Sequence, residues 1–281
     1  MAGQRGARLT YEWFFASVPR GVFMRKAHIY LILILVLALA ARVGRCFLTD
    51  RIDKDSVVYV EMAEDWREKG MARAFERNPR IPPLYTALMA GGAGLGLGAE
   101  TAGHAVSVIA GVVTVFAVWL AARAVFSGST LPLTAALLAA AHPFLIRVSE
   151  DVMRDSLFVC LTACSLAAAA YGARRIKVFL VWPAAGGFAA LAVMTRSEGL
   201  ELLPVFFAWG LVELALSRGR FRKTLVSVFL AWCLSAAGFA AVMLAALPFL
   251  HGASSRWEIV DHRAKGYLTR FITPGKDKGE K

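Results

Sequence analysis

Residues 28–48 read HIYLILILVLALAARVGRCFL. Such a run matches the roughly 20 apolar residues with which an α-helix crosses a bilayer. It is too long for the core of a cleaved signal peptide and lacks a small-residue cleavage site, so it reads as a retained signal anchor behind a basic segment, 1–27. Working outward, similar blocks recur at 101–122, 130–146, 156–173, 178–195, 200–217 and 224–250. The pattern predicts an all-α, polytopic transmembrane bundle of about seven spans over 28–250. Pro132 falls at the start of the third span, where proline is tolerated.

Composition agrees. The 281 residues are 58% hydrophobic and only 19% charged, with a mean hydropathy of +0.56, whereas a soluble domain is about 45–50% apolar and about 25% charged. A net charge of +12 would suggest nucleic acid in a soluble protein. Here the basic residues sit in short clusters between apolar blocks without interleaved aromatics, so insertion topology explains them and no nucleic-acid partner is expected. The four cysteines, Cys46, Cys160, Cys164 and Cys233, make no CxxC pair and read as small apolar fillers.

With the N-terminus in the cytoplasm, segments 1–27, 123–129, 174–177 and 218–223 hold thirteen Lys/Arg against one acid, Glu12. The positive-inside rule favours that orientation. It places the tail, 251–281, outside, in an inner or plasma membrane. The first outer loop, 49–100, contains an amphipathic stretch, Ser56–Lys69, with Val58, Tyr59, Met62, Ala63 and Trp66 on one side, which suits an interfacial helix. Pro82–Gly98 is apolar but glycine-rich and reads as interfacial or re-entrant, since a full crossing would invert every later loop.

On this topology the ionisable residues collect at one level, the outer face. Arg42, Arg45, Asp50, Asp53 and Asp55 surround the end of span one. Arg147, Glu150, Asp151, Arg154 and Asp155 lie between spans three and four, and Arg196, Glu198 and Glu201 between spans five and six. Ionisable groups at membrane depth are functional candidates by default. A carboxylate can take a proton from an acceptor hydroxyl, and arginines can clamp a phosphate. A lipid-tailed substrate would reach such a site laterally from the bilayer.

Three ordered motifs carry a resemblance. Asp55-Ser56-Val57-Val58-Tyr59, with Ala63, Gly70 and then Pro82-Pro83-Leu84-Tyr85, resembles the first outer loop of the GT-C glycosyltransferases, above all the protein-mannosyltransferase and lipid A aminoarabinose-transferase group (glycosyltransferase family 39-like). His142-Pro143 followed by Arg154-Asp155-Ser156-Leu157 resembles their second outer loop, and Met194-Thr195-Arg196-Ser197-Glu198-Gly199 their LTRxEG stretch. The resemblance covers about 30–205. It implies a GT-C-like module and a polyprenyl-phosphate-linked sugar as donor, transferred to an acceptor hydroxyl in an inverting single displacement. It implies Asp55 as general base, Asp155 as a second catalytic acid that positions acceptor or metal, and Tyr59, Arg196 and Glu198 as substrate contacts; Arg42 and Arg80, which lie outside the matching motifs, are further candidate phosphate contacts. Some relatives use a divalent metal ion; no His-rich cluster here demands one. The chain departs at Ser56, where many relatives have Glu, and at Ile81, where many have Lys or Arg. Relatives usually run longer, so a partner subunit supplying acceptor recognition is an expectation.

Structural readings stand beside these. Asp55 and Asp155 suit helix caps, Arg42 a side chain that snorkels outward, and Arg196 with Glu198 a surface ion pair. His142 suits a cap beside Pro143, and Glu150 and Asp151 read as solvated. Trp182, Trp209 and Trp232 suit span packing. The alternative function is a non-catalytic lipid-binding subunit or degenerate paralogue on the same module. A transporter, with inverted repeats and midplane charges, finds no support in the pattern. The enzyme reading expects Asp55, Asp155 and Arg196 to converge.

Overall fold

The computed structural model describes residues 20–48, 54–76, 78, 81–174, 181–217 and 221–250. The tail 251–281, Asp50, Asp53 and Arg80 lie outside the described residues. In chain order the helices are α1 (Arg20–Leu48), α2 (Lys54–Lys69), α3 (Met71–Glu76), α4 (Pro83–Gly94), α5 (Ala99–Val125), α6 (Thr130–Ala141), α7 (Pro143–Glu150), α8 (Arg154–Arg174), α9 (Val181–Val193), a 3₁₀ turn (Ser197–Glu201), α10 (Leu202–Ala215) and α11 (Phe221–Leu250). Among the described residues there is no strand.

Among the described residues four helices are long and apolar enough to cross a membrane, within α1, α5, α8 and α11. A fifth span forms if α6 and α7, bent by 52°, are taken together. The bend has a local cause. Pro143 has no N–H to donate back into α6 and holds His142 extended, at φ −67° and ψ 118°. The two remaining expected spans fall on α9, whose described part is Val181–Val193, and on α10, with 14 residues. At 1.5 Å per residue α10 reaches about 20 Å, short of the ~30 Å hydrocarbon layer. Among the described residues, four or five of the seven expected spans are long and apolar enough to cross. α4 is shorter still, at 12 residues.

Two buried clusters hold the bundle. One joins Tyr59 of α2, Tyr85 and Met89 of α4, Leu157 and Leu161 of α8 and Phe206 of α10. The other joins Leu31 and Ala38 of α1, Val115 of α5 and Ala136 of α6. Outward, Ile29, Leu33 and Val36 on α1 and Phe221 and Phe229 on α11 are more than half exposed. An apolar surface of this extent suits contact with lipid.

Small residues bring the helices close. α9 packs on both α8 and α11. At the α9–α11 crossing, a Cβ on Gly186 would fall onto the Ser235 carbonyl, and one on Gly238 onto the Pro183 carbonyl. The two backbones therefore touch through reciprocal glycines, as in many membrane helix pairs.

The amphipathic stretch of the first loop folds as expected. Tyr59, Met62 and Ala63 are buried on one side of α2. That side is covered by protein, with α3 and α4 packed against it.

Candidate functional site

The site is built where the C-terminal ends of α1 and α9 meet the N-terminal ends of α5 and α8. α8 begins at Arg154, so Asp155 stands in its first turn, where the helix dipole favours a carboxylate. Arg196 follows α9 and is extended, at φ −149° and ψ 138°, which carries its side chain across to α8. There its Nη1 donates to Asp155 Oδ1, and Nη2 donates to Glu198 Oε1 at 3.4 Å. The guanidinium also lies over the Phe158 ring, 5.7 Å from its centroid. Its Nε is buried and has no hydrogen-bond partner. Buried N–H groups are rarely left unpaired, so this one is a ready donor to a further acceptor.

Burial raises the Glu198 carboxyl. Its own backbone hydrogen bond, the Arg196 guanidinium and the Ser197 hydroxyl outweigh that and hold it below the usual carboxylate range. A depressed pKa means the carboxylate's contribution is present above the unfolded value and lost as pH falls through the folded one. The turn 194–201 should therefore lose hydrogen-exchange protection, after correction for intrinsic rates, only as pH falls below the ordinary carboxylate range. Loss setting in above that range would contradict the assignment.

The first loop reaches the same place. The Leu84 N–H donates to the Met194 carbonyl at 3.1 Å, which ties the Pro82-Pro83-Leu84-Tyr85 segment to the Met194-Thr195-Arg196 segment. Tyr59 meets Tyr85 edge-on, with centroids 5.3 Å apart. Burial raises the Tyr59 phenol, while Arg154 and Arg196 lower it and Asp55 raises it. Tyr59 is thus within electrostatic reach of Asp55, Arg154 and Arg196. Asp55 itself is exposed in the first turn of α2, which begins at Lys54.

Beneath the ion pairs runs a chain of hydroxyls. The Ser156 hydroxyl donates to the Ser107 carbonyl at 2.7 Å and lies 3.3 Å from Ser149 Oγ. The fully buried Tyr85 donates to the Gly103 carbonyl at 3.2 Å, and its oxygen lies 3.0 Å from Ser107 Oγ. This chain fixes α4, α5, α7 and α8 relative to one another and holds Asp155 through its neighbour Ser156. Tyr85→Phe should cost about 1–2 kcal/mol of stability, read as a lower thermal unfolding temperature in detergent. An unchanged temperature would mean that the chain does not brace the site.

Arg42 lies elsewhere. It is 0% exposed and does not snorkel. Its Nη1 donates to the Ala38 carbonyl at 3.0 Å and to the Ala140 carbonyl at 3.5 Å. Ala140 sits in the last turn of α6, where carbonyls lack intrahelical partners and a cation is favoured. Arg42 therefore secures the break in the bent pair, and a Cβ on Gly111 would collide with its side chain and with Ser149.

Two further expectations change. Glu150 is not solvated. It is 6% exposed, and Arg45 donates to its two carboxylate oxygens at 2.7 and 3.2 Å. His104 Nδ1 lies 2.8 Å from the Glu150 carbonyl. His142 makes no capping hydrogen bond and is exposed.

The structure thus joins Asp155, Arg196 and Glu198, leaves Asp55 exposed at the start of α2 with no contact to them shown among the described residues, and keeps Arg42 inside the bundle. Sequence reading did not single out Ser156, Tyr85 or the Arg45–Glu150 pair as members of the frame. Among the described residues no group of three or more His, Cys, Asp or Glu could hold a metal ion.

A helical membrane bundle with arginines and carboxylates gathered at one end defines a class of membrane proteins able to handle an anionic, lipid-linked substrate. Residues 80–251, more than half of the chain, match the family model described as dolichyl-phosphate-mannose-protein mannosyltransferase. The chain belongs to that family of GT-C-type membrane glycosyltransferases. The matched residues include Asp155, Arg196 and Glu198, whereas Asp55 and Tyr59 precede them. No curated protein and no solved structure matches the chain.

Proposed function

We propose that the chain transfers a sugar from a polyprenyl-phosphate donor to an acceptor hydroxyl at the outer membrane face, by an inverting single displacement. The observation that carries this reading is Arg196. It is anchored by Asp155 and Glu198, yet keeps one buried N–H without an acceptor. In this reading a phosphate oxygen of the donor accepts from that N–H, and a guanidinium bound in this way stabilises the charge that develops on the leaving phosphate. Arg80, which begins the family match one residue from where many relatives carry a Lys or Arg, is a second candidate phosphate contact.

In the step proposed, Asp55 accepts the proton of the acceptor hydroxyl. The oxygen attacks the anomeric carbon, and the carbon–oxygen bond to phosphate breaks with its electron pair remaining on polyprenyl phosphate. Tyr59, buried against Tyr85, holds α2 in place behind the sugar site. Asp155 orients Arg196 and the acceptor.

The test supplies the intact chain in proteoliposomes with labelled polyprenyl-phosphate sugar and, separately, with the nucleotide sugar. Transfer from the lipid donor alone is expected. Transfer from the nucleotide sugar alone would reject the donor class, and donor binding without transfer would favour the non-catalytic module.

A further inference from the structure

A cavity of about 380 Å³ lies at the opposite end of the same helices, between α8, α9, α10 and α11, within the usual range for small-ligand sites. Its walls are aromatic: Trp182, Phe206, Trp209 and Trp232. These rings are held in place. Trp232 Nε1 donates to the Phe206 carbonyl at 3.2 Å and its ring stacks on Phe207, 4.7 Å away. Trp182 lies over Gly172 and Trp232 over Gly210, where any Cβ would meet the indole. The indoles therefore form walls and do not fall into the space.

The polar lining comes from the helix ends: Glu213 near the end of α10, and Lys223, Thr224 and Ser227 in the first turns of α11. Glu213 accepts from Trp209 Nε1 at 3.4 Å. Lys223 is exposed, next to Arg222, at the positive end of the α11 dipole. From Lys223 the lining continues along α11 to Leu234, about 16 Å at 1.5 Å per residue. Lys223 and the adjacent Arg222 set two cations against the one carboxylate of Glu213 at the rim, and with an apolar trough of that depth they match an anionic head with one hydrocarbon chain. They do not match a sugar or nucleotide, whose hydroxyls the deep wall would leave unpaired.

We infer that this cavity binds one anionic membrane phospholipid, with a chain among the three indoles and the phosphate at Lys223. The site is separate from the Asp155–Arg196 cluster and does not rest on the transfer reaction. Native mass spectrometry of the full chain tests it, with phosphatidylglycerol, phosphatidylcholine of the same chains, and inorganic phosphate as probes. One retained phosphatidylglycerol per chain is expected, in preference to phosphatidylcholine. Lys223→Ala should weaken retention about fivefold, and filling the trough by Ala231→Phe or by the milder Ser227→Leu should remove it while the protein still elutes as folded. Equal retention of the two lipids, full retention by a folded trough-filled variant, or displacement of the lipid by inorganic phosphate would overturn the inference.

Discussion

Asp155→Asn should lower sugar transfer by two orders of magnitude or more while the protein still inserts and folds. Asp155 anchors Arg196 from across 41 residues of chain. Asparagine keeps the shape but removes the charge-assisted bond. Arg196 would then be held by Glu198 at 3.4 Å and by its contact with Phe158. Misplacing a positioning group by about 1 Å can cost about a hundredfold, and losing one electrostatic donor to a developing anion costs about 10²–10³. Stability should change far less. The paired side chains retain 26% and 32% of their exposure, and a solvated ion pair contributes about 1 kcal/mol or less. Arg196→Lys should fail nearly as badly, because one ammonium cannot face Asp155, Glu198 and a phosphate together. Steady-state transfer alongside thermal unfolding checks this. Parallel losses in both would reduce the pair to a structural role.

Gly238→Leu should have the largest effect on the fold. At Gly238 the α11 backbone lies on the Pro183 carbonyl of α9, and Gly186 faces the Ser235 carbonyl in return. A side chain there meets backbone, which cannot rotate aside as a side chain tip can. Overpacking costs about 1–3 kcal/mol even where rotamers can adjust. Forcing two helix backbones apart should reach or exceed the top of that range, with loss of monodisperse protein in detergent. Gly44→Ala is the control. Nothing lies within 4 Å of its Cβ position, and alanine in a helix stabilises by about 0.5–1 kcal/mol relative to glycine. If both variants behave alike, the α9–α11 contact is not a close one.

The membrane class and the order of helices were legible because hydropathy is local. Each expected span has its helix, from 28–48 within α1 to 224–250 within α11. The break at Pro143 was less legible, since an averaged apolar run over 130–146 conceals one missing N–H. The shortness of α10 was hidden because apolar length does not reveal where a helix ends. Side-chain fates were the hardest to read. Arg42 looks like a snorkelling arginine until the end of α6 and the bare face of Gly111 are placed beside it. Glu150 looks solvated until Arg45, 105 residues away, supplies a partner. Asp155 and Arg196 were legible as candidates because each sits beside a span end in an ordered set of motifs. Their direct pairing is a long-range fact that no local pattern encodes.

The proposed transfer needs a carboxylate and an arginine acting together on a lipid-phosphate donor. Its most direct test compares the intact chain with Asp55→Asn in transfer of labelled sugar from polyprenyl phosphate, measured in proteoliposomes at matched protein levels. A general base contributes about 10²–10⁴-fold, so the variant should fall by at least a hundredfold while still binding the donor. Equal transfer by the two proteins would contradict the account, because the acceptor proton would then leave by another route.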